Sequence, residues 1–225
     1  TLLISLMHAN NETGVIQPIS EICALTKQHD SLVFCDATQA IGKMPVSFIG
    51  LGVDMLAVSG HKFGGPVGVG ALLVRPSLPI GPLVAGGGQE LGRRSGTQNV
   101  PAIIAMVTAL GEAIDDLPYM SQLGEFRDAF EKQLSANYPN LNIMGKDAPR
   151  LDNTSCFAIA GVKAETLLMG LDLAGISISS GSACSSGKVG RSHVLESMRV
   201  DTDIAQAALR VSLGRGNTMN DLNEF

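Results

Sequence analysis

Short apolar runs that stop in polar residues constrain this chain more than any other feature. Leu32-Val-Phe-Cys35 runs into Asp36, and Met55-Leu-Ala-Val58 runs into Ser59-Gly-His-Lys62. With the similar runs at 2–7 and 71–74 they read as strands too uniformly apolar to alternate, which suits a sheet covered on both faces. Residues 18–28 between the first two read as a helix, with a proline in its first turn and Ile19, Ile22 and Leu25 on one face. After the glycine triplet at 86–88, helices are expected over about 100–116 and 120–138. From about Asn142 strand and helix alternate: 154–159, 164–174, 176–179, 191–198 and 206–213. The pattern predicts an α/β protein, whose ligands collect at the carboxyl ends of the strands.

Composition narrows the function classes. A net charge of −5 argues against nucleic acid as a partner. No apolar run is long enough to span a bilayer, and no signal peptide is evident. Four cysteines without a disulfide framework point to a reducing compartment, the cytoplasm, and no two lie at zinc-finger spacing. Cys23, Cys35 and Cys156 have apolar neighbours and read as packing residues. Cys184 differs. It stands in Ser179-Ser-Gly-Ser-Ala-Cys184-Ser-Ser-Gly187, a stretch with almost no apolar surface to bury, which reads as a loop offering a thiol for chemistry.

The polar residues after the strands suggest which chemistry. Ser59 and His61 can donate hydrogen bonds to a phosphate, the Lys62 amine can form a Schiff base with an aldehyde, and glycines at 64, 65, 68 and 70 let the backbone pass close to a bulky cofactor. Asp36, at the end of the preceding strand, can keep a pyridine nitrogen protonated, and Gln39 can donate to a ring hydroxyl. That set fits pyridoxal phosphate. Elsewhere the readings are structural: Asn10 and Glu12 as turn residues, His8 as a residue that packs or bonds a backbone group, Arg93 as a surface or interface charge, His29 as solvated, and His193 as the start of a helix capped by Ser192.

Five motifs, in order and spacing, resemble the group I cysteine desulfurases of the aminotransferase class V superfamily: His8-Ala-Asn-Asn-Glu-Thr-Gly14, Asp36-Ala-Thr-Gln39, Ser59-Gly-His-Lys62, Arg94-Ser-Gly-Thr97 and Ser180-Gly-Ser-Ala-Cys184. The resemblance covers essentially the whole chain. It implies fold type I of pyridoxal-phosphate enzymes: a large, mostly parallel seven-stranded sheet domain, incomplete here and represented by residues 1–115, and a connecting helix with a smaller C-terminal α/β domain at 116–225. It also implies that Lys62 carries the cofactor while Ser59, Gly60 and His61 hold its phosphate. Asp36 pairs with the ring nitrogen, Gln39 with the ring oxygen, and Asn11 lies near cofactor and substrate carboxylate. Arg210 grips that carboxylate through its planar fork. Thr97 reaches the phosphate of a partner subunit, so a homodimer is implied.

The reaction so implied converts L-cysteine to L-alanine, leaving the sulfur as a persulfide on Cys184 for an acceptor such as an iron–sulfur scaffold. No resident metal is expected, Cys184 meeting iron only during transfer. The resemblance also implies that the chain is a fragment, lacking more than a hundred N-terminal residues and a final helix, and inactive alone. Two rivals remain open at this point: another class V enzyme, such as an aminotransferase, epimerase or selenocysteine lyase, and a non-catalytic scaffold.

Overall fold

A computed structural model describes residues 1–180 and 192–225. The chain forms two compact units, Thr1–His8 with Gln17–Leu117, and Ala9–Ile16 with Pro118–Phe225.

The first unit is built on a four-stranded sheet of β1 (Leu3–Met7), β2 (Leu32–Asp36), β3 (Met55–Ser59) and β4 (Gly70–Val74), in that order. The first three are parallel and β4 is antiparallel to β3. The reversal has a simple cause. Only residues 60–69 link β3 to β4, too few for the crossover that a parallel return needs. Helix α1 (Ile19–Thr26) buries Ile19, Cys23 and Thr26, spaced four and three apart, as one helical face. That face meets Val33, Cys35, Ala37, Val53 and Leu56. Coverage is less even than the apolar runs suggested: Val33 and Cys35 are buried while the alternating Phe34 and Asp36 are half-buried, and Leu3 and Leu72 are exposed.

Asp54, buried at the start of β3, ties the sheet together. Its Oδ2 accepts from Val33 N at 2.8 Å, and its Oδ1 lies 2.8 Å from Arg75 Nη1 beyond β4. The short helix α2 (Phe48–Leu51), capped by Ser47, precedes it. Helix α3 (Val100–Asp115) begins at Asn99, whose side chain accepts from Ala102 N.

The second unit carries an antiparallel sheet ordered β5 (Leu141–Ile143), β6 (Thr154–Ile159), β8 (Leu209–Ser212), β7 (Ser179–Ser180). Five residues of β6 are buried without alternation, because both faces of the sheet are covered. Phe157 joins Leu123, Phe130, Leu209 and Val211 in one cluster, and Cys156 and Ala158 join Met144, Leu195 and Ala208 in another. Phe130, Phe157 and Phe225 pack edge to face with centroids 5.0–6.1 Å apart, the geometry favoured by the aromatic quadrupole. The helices are α4 (Leu117–Asn137), α5 (Ala164–Leu173), α6 (His193–Ser197), α7 (Thr202–Gln206) and α8 (Met219–Asn223).

A buried ion pair secures α4. Glu131 receives both Arg150 Nη atoms at 2.7 and 2.8 Å and the Ser155 hydroxyl at 2.7 Å. Its hydrogen bonds hold the Arg150 guanidinium above its usual pKa.

Most expected elements appear within a few residues, with three shifts. The strand expected at 176–179 is the short Ser179–Ser180, since residues 174–176 are still turning off α5 through Ala174 N to Gly170 O and Ile176 N to Leu171 O. The strand expected over 206–213 narrows to Leu209–Ser212 because Gln206 closes α7. The helix expected over 191–198 is His193–Ser197 within the described residues, with buried Ser192 as its cap; Arg191 lies outside them.

Candidate active site

In the first unit, three parallel strands end within two residues of one another in register, and each end carries polar chemistry. Register pairs Met7 with Asp36, and Asp36 with Ala57, two residues short of Ser59. Beyond the strands, His8 N donates to Asp36 O at 2.8 Å and Ala37 N donates to Ala57 O at 2.9 Å. The cluster therefore lies at the carboxyl edge of the sheet, as strand polarity predicts for a ligand site.

Half-buried Asp36 accepts from Thr38 N at 2.9 Å through Oδ1. It makes no salt bridge among the described residues, so its carboxylate keeps accepting capacity for a cationic N–H. The chain then turns over residues 37–44 through Ile41 N to Ala37 O and Met44 N to Ala40 O. In this turn Gln39 Oε1 accepts from Lys43 Nζ at 2.8 Å.

After β3 a 3-10 turn, Gly60–Phe63, carries His61 and Lys62. Gly60 is buried and donates to Val69 O at 2.9 Å; a Cβ there would stand 3.1 Å from the Val69 carbonyl and 3.2 Å from Met106 Cγ of α3. Glycine is what lets the turn sit against α3. Ser59 Oγ and His61 Nδ1 are 2.9 Å apart. Lys62 is half-buried, without a salt bridge among the described residues.

The two turns touch through one glycine. Gly42 has φ +74°, and a Cβ on it would lie 2.9 Å from Phe63 Cβ and 3.0 Å from Ala113 Cβ. The turn holding Gln39 is thereby packed against the residue after Lys62. Thr97 is exposed, on the stretch leading to α3, and Arg93 is likewise exposed.

His8 is 4% exposed, and its Nδ1 has no hydrogen-bond partner. Burial pushes its pKa below the ordinary 6.5, so the ring is neutral. Packing or a bond to a backbone group was expected of His8, and its own backbone N–H does bond Asp36 O; an orphaned ring nitrogen was not expected.

The second unit holds the other expected residues. Arg210 on β8 donates from Nη1 to Asn11 O at 2.7 Å and from Nη2 to Ser179 Oγ at 3.1 Å, while its buried Nε is unpartnered. Both acceptors are neutral. No carboxylate forms a salt bridge with Arg210 among the described residues, so its charge is left for an anion. Asn11 is held in the segment Ala9–Ile16, where Asn10 Oδ1 accepts from Glu12 N and Thr13 N at 2.9 Å each. Gly14, at φ +74°, fits where a Cβ would come within 3.0 Å of Thr154 Cβ.

Glu12 lies in the turn at 11–13, as expected, but its side chain is also buried and accepts from the Ser192 hydroxyl, whose oxygen in turn caps α6 by accepting from Leu195 N at 3.0 Å. The 180-residue separation of Glu12 and Ser192 left no local signal. His29 is exposed, as expected, and His193 opens α6 behind its Ser192 cap, as expected.

Cys23, Cys35 and Cys156 are all buried. Burial pushes the Cys35 and Cys156 thiols up to about 12 and raises that of Cys23 as well, so none is a ready thiolate. Cys184 lies outside the described residues. Among those described, no helix is long and apolar enough to cross a membrane.

Comparison with known proteins agrees with this arrangement. The aminotransferase class-V family pattern matches residues 1–225. The cysteine desulfurase IscS of Dictyoglomus turgidum is 43% identical over 224 residues, covering 99% of this chain and 57% of that protein. The X-ray structure of a NifS-like protein from Rickettsia africae ESF-5 superposes with a TM-score of 0.89 at 37% identity, over 99% of this chain and 59% of that one. A structure of SspA in complex with cysteine superposes at 0.75 with 32% identity, over 94% and 58%. The chain thus spans somewhat more than half the length of the relatives it matches. Polar residues gathered at the ends of parallel strands, a family pattern running from first residue to last and a shared backbone lead to one conclusion: this chain belongs to the aminotransferase class-V family and carries part of the fold type I transferase architecture.

Proposed function

We propose that the protein is a cysteine desulfurase dependent on pyridoxal phosphate, taking sulfur from L-cysteine and releasing L-alanine. The observation that carries this reading is the pairing of Asp36 and Ser59-Gly60-His61-Lys62 at the carboxyl ends of adjacent parallel strands. The residues present fit the cofactor. Asp36 has an acceptor to spare for a pyridinium N–H, Lys62 is half-buried and outside any described salt bridge, and His8, whose backbone N–H donates to Asp36 O, keeps an unpartnered ring Nδ1. When bound, pyridoxal phosphate supplies an electron sink that acidifies the Cα–H of an amino acid.

The chain's own residues do the rest. Lys62 Nζ would hold the cofactor and then take the Cα proton of the substrate. Asp36 stabilises the protonated ring nitrogen, and Gln39 donates to the ring oxygen. Ser59, Gly60 and His61 bind the phosphate, with Thr97 reaching that of a partner subunit in a homodimer. Arg210 binds the substrate carboxylate, its guanidinium having no carboxylate partner among the described residues, and Asn11 lies beside it. The Cys184 thiolate attacks the substrate sulfur: an S–S bond forms as the Cβ–S bond breaks, and the electron pair left on carbon is protonated to give alanine. The persulfide on Cys184 is then handed to an acceptor protein, an iron–sulfur scaffold in this reading, within the cytoplasm.

The test is to measure alanine and sulfide from L-cysteine with added pyridoxal phosphate and a reductant, comparing the complete protein with its Cys184→Ala and Lys62→Ala variants. Equimolar products, lost in both variants, are expected. Turnover that survives Cys184→Ala, or transamination in place of sulfide release, would return the protein to the wider class V chemistry.

A further inference from the structure

Gln39 can serve as a donor to a cofactor only if its amide is turned the right way. The two ends of a primary amide have nearly the same shape, and opposite hydrogen-bonding character: Oε1 accepts and Nε2 donates. The atom that decides between them is supplied by the same turn. Lys43 Nζ lies 2.8 Å from the Gln39 amide, four residues on, and both side chains are half-buried. An ammonium is a donor with no accepting capacity. The amide end facing it is therefore the oxygen, and the two N–H groups face away from Lys43.

We propose that Lys43 is a positioning residue, locking the Gln39 amide so that Nε2 is the end left for the ring oxygen of the cofactor. This rests on the reading of Gln39 as the ring-oxygen donor. The turn is well suited to the task. Lys43 N to Ala40 O and Met44 N to Ala40 O, at 3.0 and 3.1 Å, hold the backbone of Lys43, and Gly42 fixes the turn against Phe63. A charged partner on Oε1 also polarises the amide and strengthens what Nε2 donates. With an apolar side chain at 43 the amide is free to rotate, and the flipped form sets an oxygen lone pair against the ring oxygen.

The experiment follows the visible absorbance of the bound cofactor against pH in the cofactor-loaded full chain, a signal that reports hydrogen bonding at the ring oxygen without requiring turnover. Four variants are compared with the parent: Lys43→Met, Lys43→Arg, Gln39→Ala and Gln39→Ala combined with Lys43→Met. Loss of a hydrogen bond to a charged oxygen is expected to move the midpoint by about one pH unit in Gln39→Ala. Lys43→Met should move it the same way by a large fraction of that shift, Lys43→Arg should restore it, and Lys43→Met should add nothing once Gln39 is gone. An unchanged midpoint in Lys43→Met, or an equal shift with and without Gln39, overturns the proposal while leaving the donor role of Gln39 standing. An unchanged midpoint in Gln39→Ala overturns that role and the proposal with it. Unfolding curves of the same variants separate these outcomes from general destabilisation.

Discussion

Replacing Gly42 with alanine tests whether packing between two turns assembles the candidate cofactor site. Two costs are separable there. A left-handed backbone at φ +74° costs an L-residue roughly 1–2 kcal/mol. The new methyl would also stand 2.9 Å from Phe63 Cβ and 3.0 Å from Ala113 Cβ, well inside carbon–carbon contact, and overpacking of that kind costs about 1–3 kcal/mol. The sum is about 2–5 kcal/mol. Gly52 provides the control in the same unit. Its φ is +73°, but the nearest atoms to its added Cβ are Lys27 Nζ at 3.8 Å and Cys23 Cβ at 3.9 Å, ordinary contact distances. Gly52→Ala should therefore lose only the backbone part. Urea unfolding followed by far-ultraviolet circular dichroism measures both, the difference in midpoint at constant slope giving the packing contribution. Because Phe63 directly follows Lys62, Gly42→Ala should also weaken pyridoxal phosphate retention, and Gly52→Ala should not. Equal losses of stability in the two variants would refute the argument, since they would show that the turn carrying Gln39 yields without resistance from Phe63.

Alkylation with iodoacetamide at pH 8, read by peptide mass, should label Cys184 and spare Cys23, Cys35 and Cys156, whose thiols are buried with raised pKa values; early labelling of Cys35 would contradict this. Glu131→Ala should destabilise by about 3–5 kcal/mol in denaturant unfolding, because it strands the nearly enclosed Arg150 guanidinium, and Glu131→Gln, which keeps an acceptor, should cost less. His8 should make stability depend on acid: its folded pKa lies below the ordinary 6.5, so the unfolded chain binds the proton more readily, and the stability fully present above 6.5 is lost as pH falls through the lowered value. Denaturant midpoints between pH 7.5 and 5.5 should fall for the parent, and His8→Gln should flatten that slope.

The candidate cofactor residues of the first unit were legible because they are local. Asp36 and Gln39 lie three residues apart after one strand, Ser59 to Lys62 are consecutive after the next, and an apolar run that halts in such residues announces both the strand and its functional end. The residues expected to act in the second unit were not legible from local pattern. Arg210 meets Asn11 across 199 residues and Glu12 meets Ser192 across 180; only the resemblance to a family singled out Arg210 and Asn11, and nothing singled out Glu12. Asp54 escaped notice for the same reason, since its tie to Val33 and Arg75 depends on strands that periodicity could find but not pair.

The unpredicted roles share a physical form that bears on how the site works. Asp54, Glu12 and Lys43 each bind a partner chosen by the fold and have no reactive duty in the proposed chemistry. Each uses a charge in a partly or wholly buried setting, where a hydrogen bond to an ionised group is stronger and more directional than one between neutral groups. A charge in such a place is costly unless its partner is in position. The arrangement therefore penalises any slip of β2 against β3, of the Asn11 segment against α6, or of the Gln39 amide against its turn. The apolar clusters bring the strands together, and they tolerate small displacements that a catalytic geometry does not. Hydrogen bonds made by charges in buried or half-buried places supply the missing restriction, so the residues that set the precision of this site are expected among charges with no chemical assignment of their own.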